Sequence, residues 1–296
     1  MNDFSRDILS RIGIDDTYIP SLTATYEKLC RNPAFSVLCT HLGMGDYDSI
    51  SFLLKSADVL AAEVDCHPYT VHFLLFIGAC EPLRRQYAAR SVDETIYWDT
   101  VQDLRWKFDE CVAVHGIPGT SAAKWHEAFF RMGRFTLGRF QYHFDVFDAD
   151  EFTHAGITLH RGDPVHRFHI PSAGPMPKEV RLDSYRRAYE FYKDQLPADG
   201  VARFVCDSWL LYPAHREFLP KNSNILSFMD DFHIVCSREN ETFTDAWRVF
   251  GAATNDPVET WPRSTGLQRA YADRILSGGK TGAGYGVVLF DGEKIL

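Results

Sequence analysis

A chain of 296 residues is about twice the commonest domain size, which sets an expectation of two domains. Hydrophobic residues make up 45% of it and charged residues 24%, values that exclude long disorder, collagen and low-complexity repeats. Forty acidic against 31 basic residues give a net charge of −9, without the basic excess that phosphate-backbone binding needs, so nucleic acid is not an expected partner. The longest apolar stretch, Val71 to Ala79 with His72 inside it, is too short to span a bilayer, and no membrane partner is expected. Met1 leads into Asn2, Asp3, Ser5, Arg6 and Asp7 without a basic head and apolar body, which sets the expectation of a cytoplasmic protein. The seven cysteines, Cys30, Cys39, Cys66, Cys80, Cys111, Cys206 and Cys236, are odd in number and form no C-x-x-C pair; they read as reduced thiols.

In chain order, the first 130 residues read as helices. Ile50, Phe52, Leu53, Ala57, Leu60, Ala61 and Val64 lay one apolar stripe along Asp48 to Val64. Pro68 breaks the chain and Thr70 to Tyr87 resumes as a buried helix. Ser91-Val92-Asp93-Glu94 has the pattern of a capping box opening a helix that runs to about Ala113. A short helix carries Trp125, Phe129 and Phe130. After Gly133 the period shifts towards 2: Phe135 to Val146 fits one long strand with a bend near Gly138. Ile157 to His160 and Val165 to Ile170 flank Arg161-Gly162-Asp163-Pro164 as a predicted hairpin. A helix over Lys178 to Gln195, a strand over Val201 to Tyr212 and a helical stretch over Ala214 to Phe232, broken at Pro220, follow. His233 to Ser237 and Thr242 to Phe250 are predicted to pair. A helix from Thr265 to Leu276, a glycine-rich turn and a strand from Tyr285 to Phe290 complete the reading. The fold class is α/β (α+β): an all-helical domain over 1–131, then a mixed sheet flanked by helices over 132–296.

Three motifs have residue types that could carry chemistry. Gly279-Lys280-Thr281 has the look of a phosphate loop, but Arg274 stands where its first glycine belongs and a strand follows where a helix should. The middle of the chain is rich in histidine, at His143, His154, His160, His166 and His169. His160 across a hairpin from His166 would suit a metal-dependent hydrolase or a cupin-like enzyme. Alternation sets His166 and His169 on opposite faces, however, and no carboxylate stands at a ligand spacing, so no metal is expected. Cys206-Asp207-Ser208 ends a strand, where α/β sheets usually carry chemistry, but no G-x-S-x-G elbow surrounds Ser208. Ser208 reads either as a hydrogen-bonding group of a site or as a helix-entry cap.

Leu137-Gly138-Arg139-Phe140-Gln141-Tyr142, Phe168-His169-Ile170-Pro171, Cys206-Asp207-Ser208-Trp209-Leu210-Leu211 and Ser223-Asn224-Ile225, in this order of elements, resemble bacterial two-domain acyltransferase domain-containing proteins, with a helical N-terminal domain and a GNAT-like C-terminal domain. The resemblance implies a fourth and a fifth strand that splay apart with acyl-CoA or acetyl-CoA, the co-substrate, wedged between them. It places the fourth strand at Val165 to Ile170 and the pyrophosphate loop at Pro171 to Met176. There Ile170, Ser172, Ala173, Gly174 and Met176 would supply backbone contacts and Asn224 a second polar one. The loop departs from the family's R/Q-x-x-G-x-G/A signature, and Pro171, Pro175 and Pro177 carry no N–H. The implied reaction is N-acyl transfer to a small-molecule or peptide amine, with His169 as base, Tyr212 as acid for the departing sulfur and Ser208 beside them. A non-catalytic binding or scaffolding protein with a degenerate GNAT core is the alternative reading.

Overall fold

The computed structural model describes residues 3–296, which divide into two compact units at the step from Thr136 to Leu137. The first unit is helical: α1 Asp3–Arg11, α2 Ile19–Leu29, α3 Pro33–Met44, α4 Ile50–Glu63, α5 Pro68–Ala89, α6 Glu94–Val101, α7 Asp103–His115 and α8 Glu127–Phe130. Helix α5 is its axis, with Val71, Phe73, Leu74, Leu75, Phe76 and Ile77 all fully buried. It meets α3 through glycines on both sides. A Cβ on Gly43 would lie 2.3 Å from the Ala79 carbonyl, and one on Gly78 would lie 2.4 Å from Cys39 Sγ, so the two backbones approach as closely as glycine permits. Among the described residues no helix is long and apolar enough to cross a membrane.

Two expectations for this unit are corrected. The N-cap of α6 is Asp93, whose carboxylate accepts from the Thr95 N–H at 2.7 Å; Ser91 lies in the turn before it, at φ +55°. The helix expected to run to Ala113 is two helices separated at Gln102, whose side-chain amide turns aside to donate to the Ile12 carbonyl.

Strand β1 Arg134–Leu137 runs across the boundary, and the second unit carries β2 Phe140–Val146, β3 Glu151–His154, β4 Ile157–His160, β5 Pro164–His169, α9 Lys178–Phe191, β6 Ala202–Ser208, α10 His215–Phe218, α11 Asn224–Met229, β7 His233–Asn240, α12 Trp247–Phe250, α13 Gly266–Leu276 and β8 Thr281–Phe290. The sheet order is β1-β2-β5-β6-β8-β7, with β3-β4 a separate hairpin. Only β5 and β6 run parallel; the β2/β5, β6/β8 and β7/β8 pairs are antiparallel. Phe140, Tyr142, Phe168 and Phe204 gather under Tyr185 of α9 on one face. Val165, Val205, Val287 and Leu289 pack with Phe147, Ile157 and Leu159 on the other, beneath the β3-β4 hairpin.

Here too the structure revises the reading. The expected single strand over 135–146 is broken at Gly138, whose φ of +71° turns the chain, and β2 leaves from Phe140. The hairpin is not β4 with β5. Ala155 and Gly156, at φ +49° and +78°, make the left-handed two-residue turn that joins β3 to β4, so His160 stands opposite Glu151 instead of His166. Residues 242–250 pair with nothing in the sheet: β7 takes β8 as its neighbour, and the segment forms α12 after a loop. The helical stretch expected over 214–232 is two short helices, α10 and α11.

The glycine-rich turn is the largest revision, because it is strand. Gly282, Gly284 and Gly286 lie within β8, at alternate positions and therefore on one face. Side chains at these positions would overlap Tyr212, the Leu211 carbonyl and Phe232 respectively. The glycines thus let the segment after β6 lie directly on the strand. Gly284→Ala, whose Cβ would sit 2.2 Å from the Leu211 oxygen, is expected to lower stability by about 3 kcal/mol, read from denaturant unfolding.

Two histidines add an acid sensitivity. Burial pushes both His166, stacked on Tyr192, and His215, bonded to the Tyr271 hydroxyl at 2.5 Å, down to about 4. In the unfolded chain an imidazole takes up its proton from about pH 6.5. The unfolded state therefore binds more protons between these values, and their contribution is intact above pH 6.5 and lost as pH falls to 4. The loss is on the order of 3 kcal/mol for each group. Thermal midpoints at pH 7, 5.5 and 4 should fall steeply in the wild type and less steeply in His166→Gln.

Candidate active site

The site begins where the central ladder fails. Strands β5 and β6 pair at His166/Phe204 and Arg167/Val205, and among the described residues no pair follows, although β5 continues to His169 and β6 to Ser208. Their ends therefore present unpaired strand edges to a gap between them, a place where backbone N–H and C=O groups are available to a ligand.

The loop after β5 rims this gap, and two buried arginines fix it. Arg139 donates from Nη1 to the Pro171 carbonyl at 3.0 Å, from Nη2 to the Gly174 carbonyl at 2.7 Å and from Nε to the Pro175 carbonyl at 3.4 Å. Arg181 of α9 donates to the Met176 carbonyl at 2.8 Å while its other nitrogens hold Asp231 at 2.6 and 3.0 Å and the Ser227 carbonyl at 2.9 Å. Gly174 has φ +86°, a conformation that a residue with a side chain rarely adopts. The Ala173 N–H is spent within the loop, on the Pro171 carbonyl at 2.8 Å. Of the donors expected in the cradle, the Ala173 N–H is therefore engaged within the loop itself.

His169 ends β5. Register with Gln141 and alternation from Arg167 set it on the face of Val205, opposite to α9, and its ring stacks on that of His143 at 5.0 Å and 6°. The same face carries further charge: Arg167 pairs with Asp145 and lies over the Tyr285 ring, and Arg238 of β7 holds Asp207 at 2.8 Å. The Arg167 guanidinium, together with the Val146 N–H, holds the Asp145 carboxyl below its ordinary value against the effect of burial.

Tyr212 lies on the other face. Its ring covers Gly282, and its hydroxyl donates to Glu239 of β7 at 3.4 Å. Burial, then the nearby Glu239 carboxylate, raises its phenol, which keeps the proton at neutral pH. His169 and Tyr212 are thus set on opposite faces of the sheet, so only a ligand lying in the gap between β5 and β6 would be open to both. Ser208 serves as a cap: its Oγ accepts from the Leu210 N–H at 3.2 Å at the entry to a short 3₁₀ turn, Trp209–Leu211. Cys206 is buried, and that burial pushes its thiol far up, which leaves it a packing group. Asn224 is the first residue of α11, capped by Ser223, on whose flank Arg216, Lys221, Asn222, Leu226 and Asp230 line an open cleft of about 390 Å³.

Arg181 and Asp231 carry no signal in the sequence, and Arg139 enters there only within the segment Leu137 to Tyr142, with no role of its own. Arg139 announces itself only as a charge wedged between Leu137 and Phe140, both buried, and its partners lie more than thirty residues away.

With this geometry in view, the comparisons are specific. Residues 3–132 match the N-acyltransferase N-terminal domain and residues 135–288 the GNAT-like C-terminal domain. The chain belongs to this two-domain family of GNAT-like acyltransferases. Among curated proteins nothing matches it. Similar solved structures include an acyltransferase in complex with decanoyl-CoA, 24% identical with a TM-score of 0.73, covering 96% of this chain and 86% of that one. Another is an acyltransferase in complex with CoA and 10C-teicoplanin, 20% identical with a TM-score of 0.75, over 98% and 88% of the two chains. At these identities the likeness is one of fold.

If Ser208 acts only as a cap, Ser208→Ala should cost about 1 kcal/mol of stability and leave turnover within about twofold. A loss of turnover at unchanged thermal midpoint would put its hydroxyl in the chemistry.

Proposed function

We propose that the protein is an acyl-CoA-dependent N-acyltransferase, moving an acyl group from the thioester to an amine on a small molecule or peptide. The observation that carries this reading is the gap between β5 and β6, rimmed by an ordered loop and by His169, in a chain of this family. The neighbouring acyltransferases, solved with decanoyl-CoA and with teicoplanin, support a thioester donor and a peptide-like acceptor. The pantetheine arm would lie in the gap, with the pyrophosphate against the N–H groups of Ser172, Gly174 and Met176 and Asn224 as an outer polar contact. Ile170, between the strand and the loop, would contribute main-chain contacts to the same arm.

In the reaction the amine nitrogen bonds to the thioester carbonyl carbon, its proton passes to His169, and the C–S bond breaks with the electron pair leaving on sulfur. The raised phenol of Tyr212 supplies the proton that makes the free thiol. N–H groups along the unpaired edges would hold the oxyanion formed between these steps. The prolines of the loop and the engaged Ala173 N–H favour a second reading, a binding or scaffolding protein with a degenerate core.

Thermal shift with a panel of acyl-CoA thioesters separates the two, because a ligand of the native state raises its stability by mass action. A shift of several degrees with at least one thioester supports the enzyme; no shift at large excess supports the scaffold. His169→Asn should lower kcat by about 10²-fold or more with thioester affinity kept, as expected for loss of a general base. Unchanged kcat would remove His169 from the chemistry.

A further inference from the structure

Arg139 is a buried charge without a counter-charge. Its residue is 9% exposed, its three bonds go to main-chain carbonyls, and burial alone pushes its guanidinium down, to about 10, so it is cationic at neutral pH. Arg181, the other buried arginine of the loop, is neutralised by Asp231. Buried charges ordinarily have a charged partner, and a fold that keeps one without it bears a standing desolvation cost. Among the described residues no carboxylate stands in ion-pair range of Arg139.

The direction of the three carbonyls gives this charge a use. In a trans peptide the N–H of the next residue points opposite to the C=O, and no peptide bond of the chain is cis. Drawing the Pro171 and Pro175 carbonyls towards Arg139 therefore turns the N–H groups of Ser172 and Met176 away from it, outward from the loop. Left unheld, a proline-rich loop exposes carbonyl oxygens as readily as amides, and carbonyls repel a phosphate. With Arg139 in place the acceptors are tied down beneath, the donors point out, and a full positive charge lies behind them.

We propose that Arg139 is a positioning residue for the phosphates of the acyl-CoA co-substrate, acting through the loop it holds and through its own unneutralised charge. This rests on the acyl-CoA reading above. It stands in for the missing glycine-rich signature: three prolines remove donors, and one buried arginine sets the direction of the peptide groups it holds.

The test compares coenzyme A with pantetheine, which shares the arm but has no phosphate, by calorimetric titration of the full chain and of Arg139→Met and Arg139→Lys. Arg139→Met should weaken coenzyme A by about tenfold or more while changing pantetheine by less than about twofold, with Arg139→Lys between it and the wild type. Coenzyme A affinity kept within twofold in a folded Arg139→Met protein, or an equal loss for both ligands, overturns the proposal. If neither variant folds, Arg139 is a residue of the fold and the proposal also fails. Wild-type protein that binds pantetheine as tightly as coenzyme A refutes the phosphate role alone; wild-type protein that binds neither refutes the acyl-CoA reading itself.

Discussion

The second unit is organised around the ion pair of Arg181 and Asp231, both almost wholly buried. One guanidinium there joins four pieces of chain: α9, which carries it; the loop before α9, through the Met176 carbonyl; α11, through Ser227; and the turn into β7, through Asp231. Tyr185 adds its hydroxyl to the same carboxylate at 3.2 Å. Such a pair gains little over a well-packed apolar substitute, but removing one member strands the other charge in a medium that cannot solvate it, at about 3–5 kcal/mol. Its value lies in direction: an apolar cluster would tolerate several loop conformations, whereas a planar fork with every nitrogen engaged tolerates few.

The two faces of the sheet differ in chemistry, as strand alternation sets them. The α9 face is aromatic and closed, with Tyr142, Tyr185 and Phe140 fully buried. The opposite face is apolar under the β3-β4 hairpin but charged towards the C-terminal ends of β5 and β6, where Arg167, Asp145, Asp207, Arg238, His143 and His169 are found. The gap in the ladder opens at the same end. Polarity and an open backbone edge therefore coincide at one end of the sheet.

Local pattern made much of this legible. The stripe over Asp48 to Val64, the switch of period after Gly133 and the helix after Pro177 are each governed by neighbours in sequence, and the parallel arrangement of β5 and β6 follows from the helix between them. What stayed hidden depends on distant residues. Gly282, Gly284 and Gly286 carry low strand propensity, and only Tyr212, Leu211 and Phe232 pressing on them explain why the strand is built of glycine. Thr242 to Phe250 stands next in sequence to β7, yet among the described residues the outer edge of β7 takes no strand and the segment forms α12 instead. Ser91 fits a capping box in composition, but its left-handed backbone passes the task to Asp93. The grip of Arg139 on the loop joins residues whose proximity no spacing rule encodes.

The position of β8 between β6 and β7 bears on how the protein is made. A ribosome delivers β7 before β8, with 40 residues between Asn240 and Thr281. Throughout that interval β6 and β7 each hold out an edge for the same absent strand. Because β7, among the described residues, has β8 as its one neighbour in the sheet, the border β6-β8-β7 can be completed only after β8 has emerged. Closure of the sheet is therefore a late, long-range event, and the nascent chain is exposed to pairing with other molecules until it occurs.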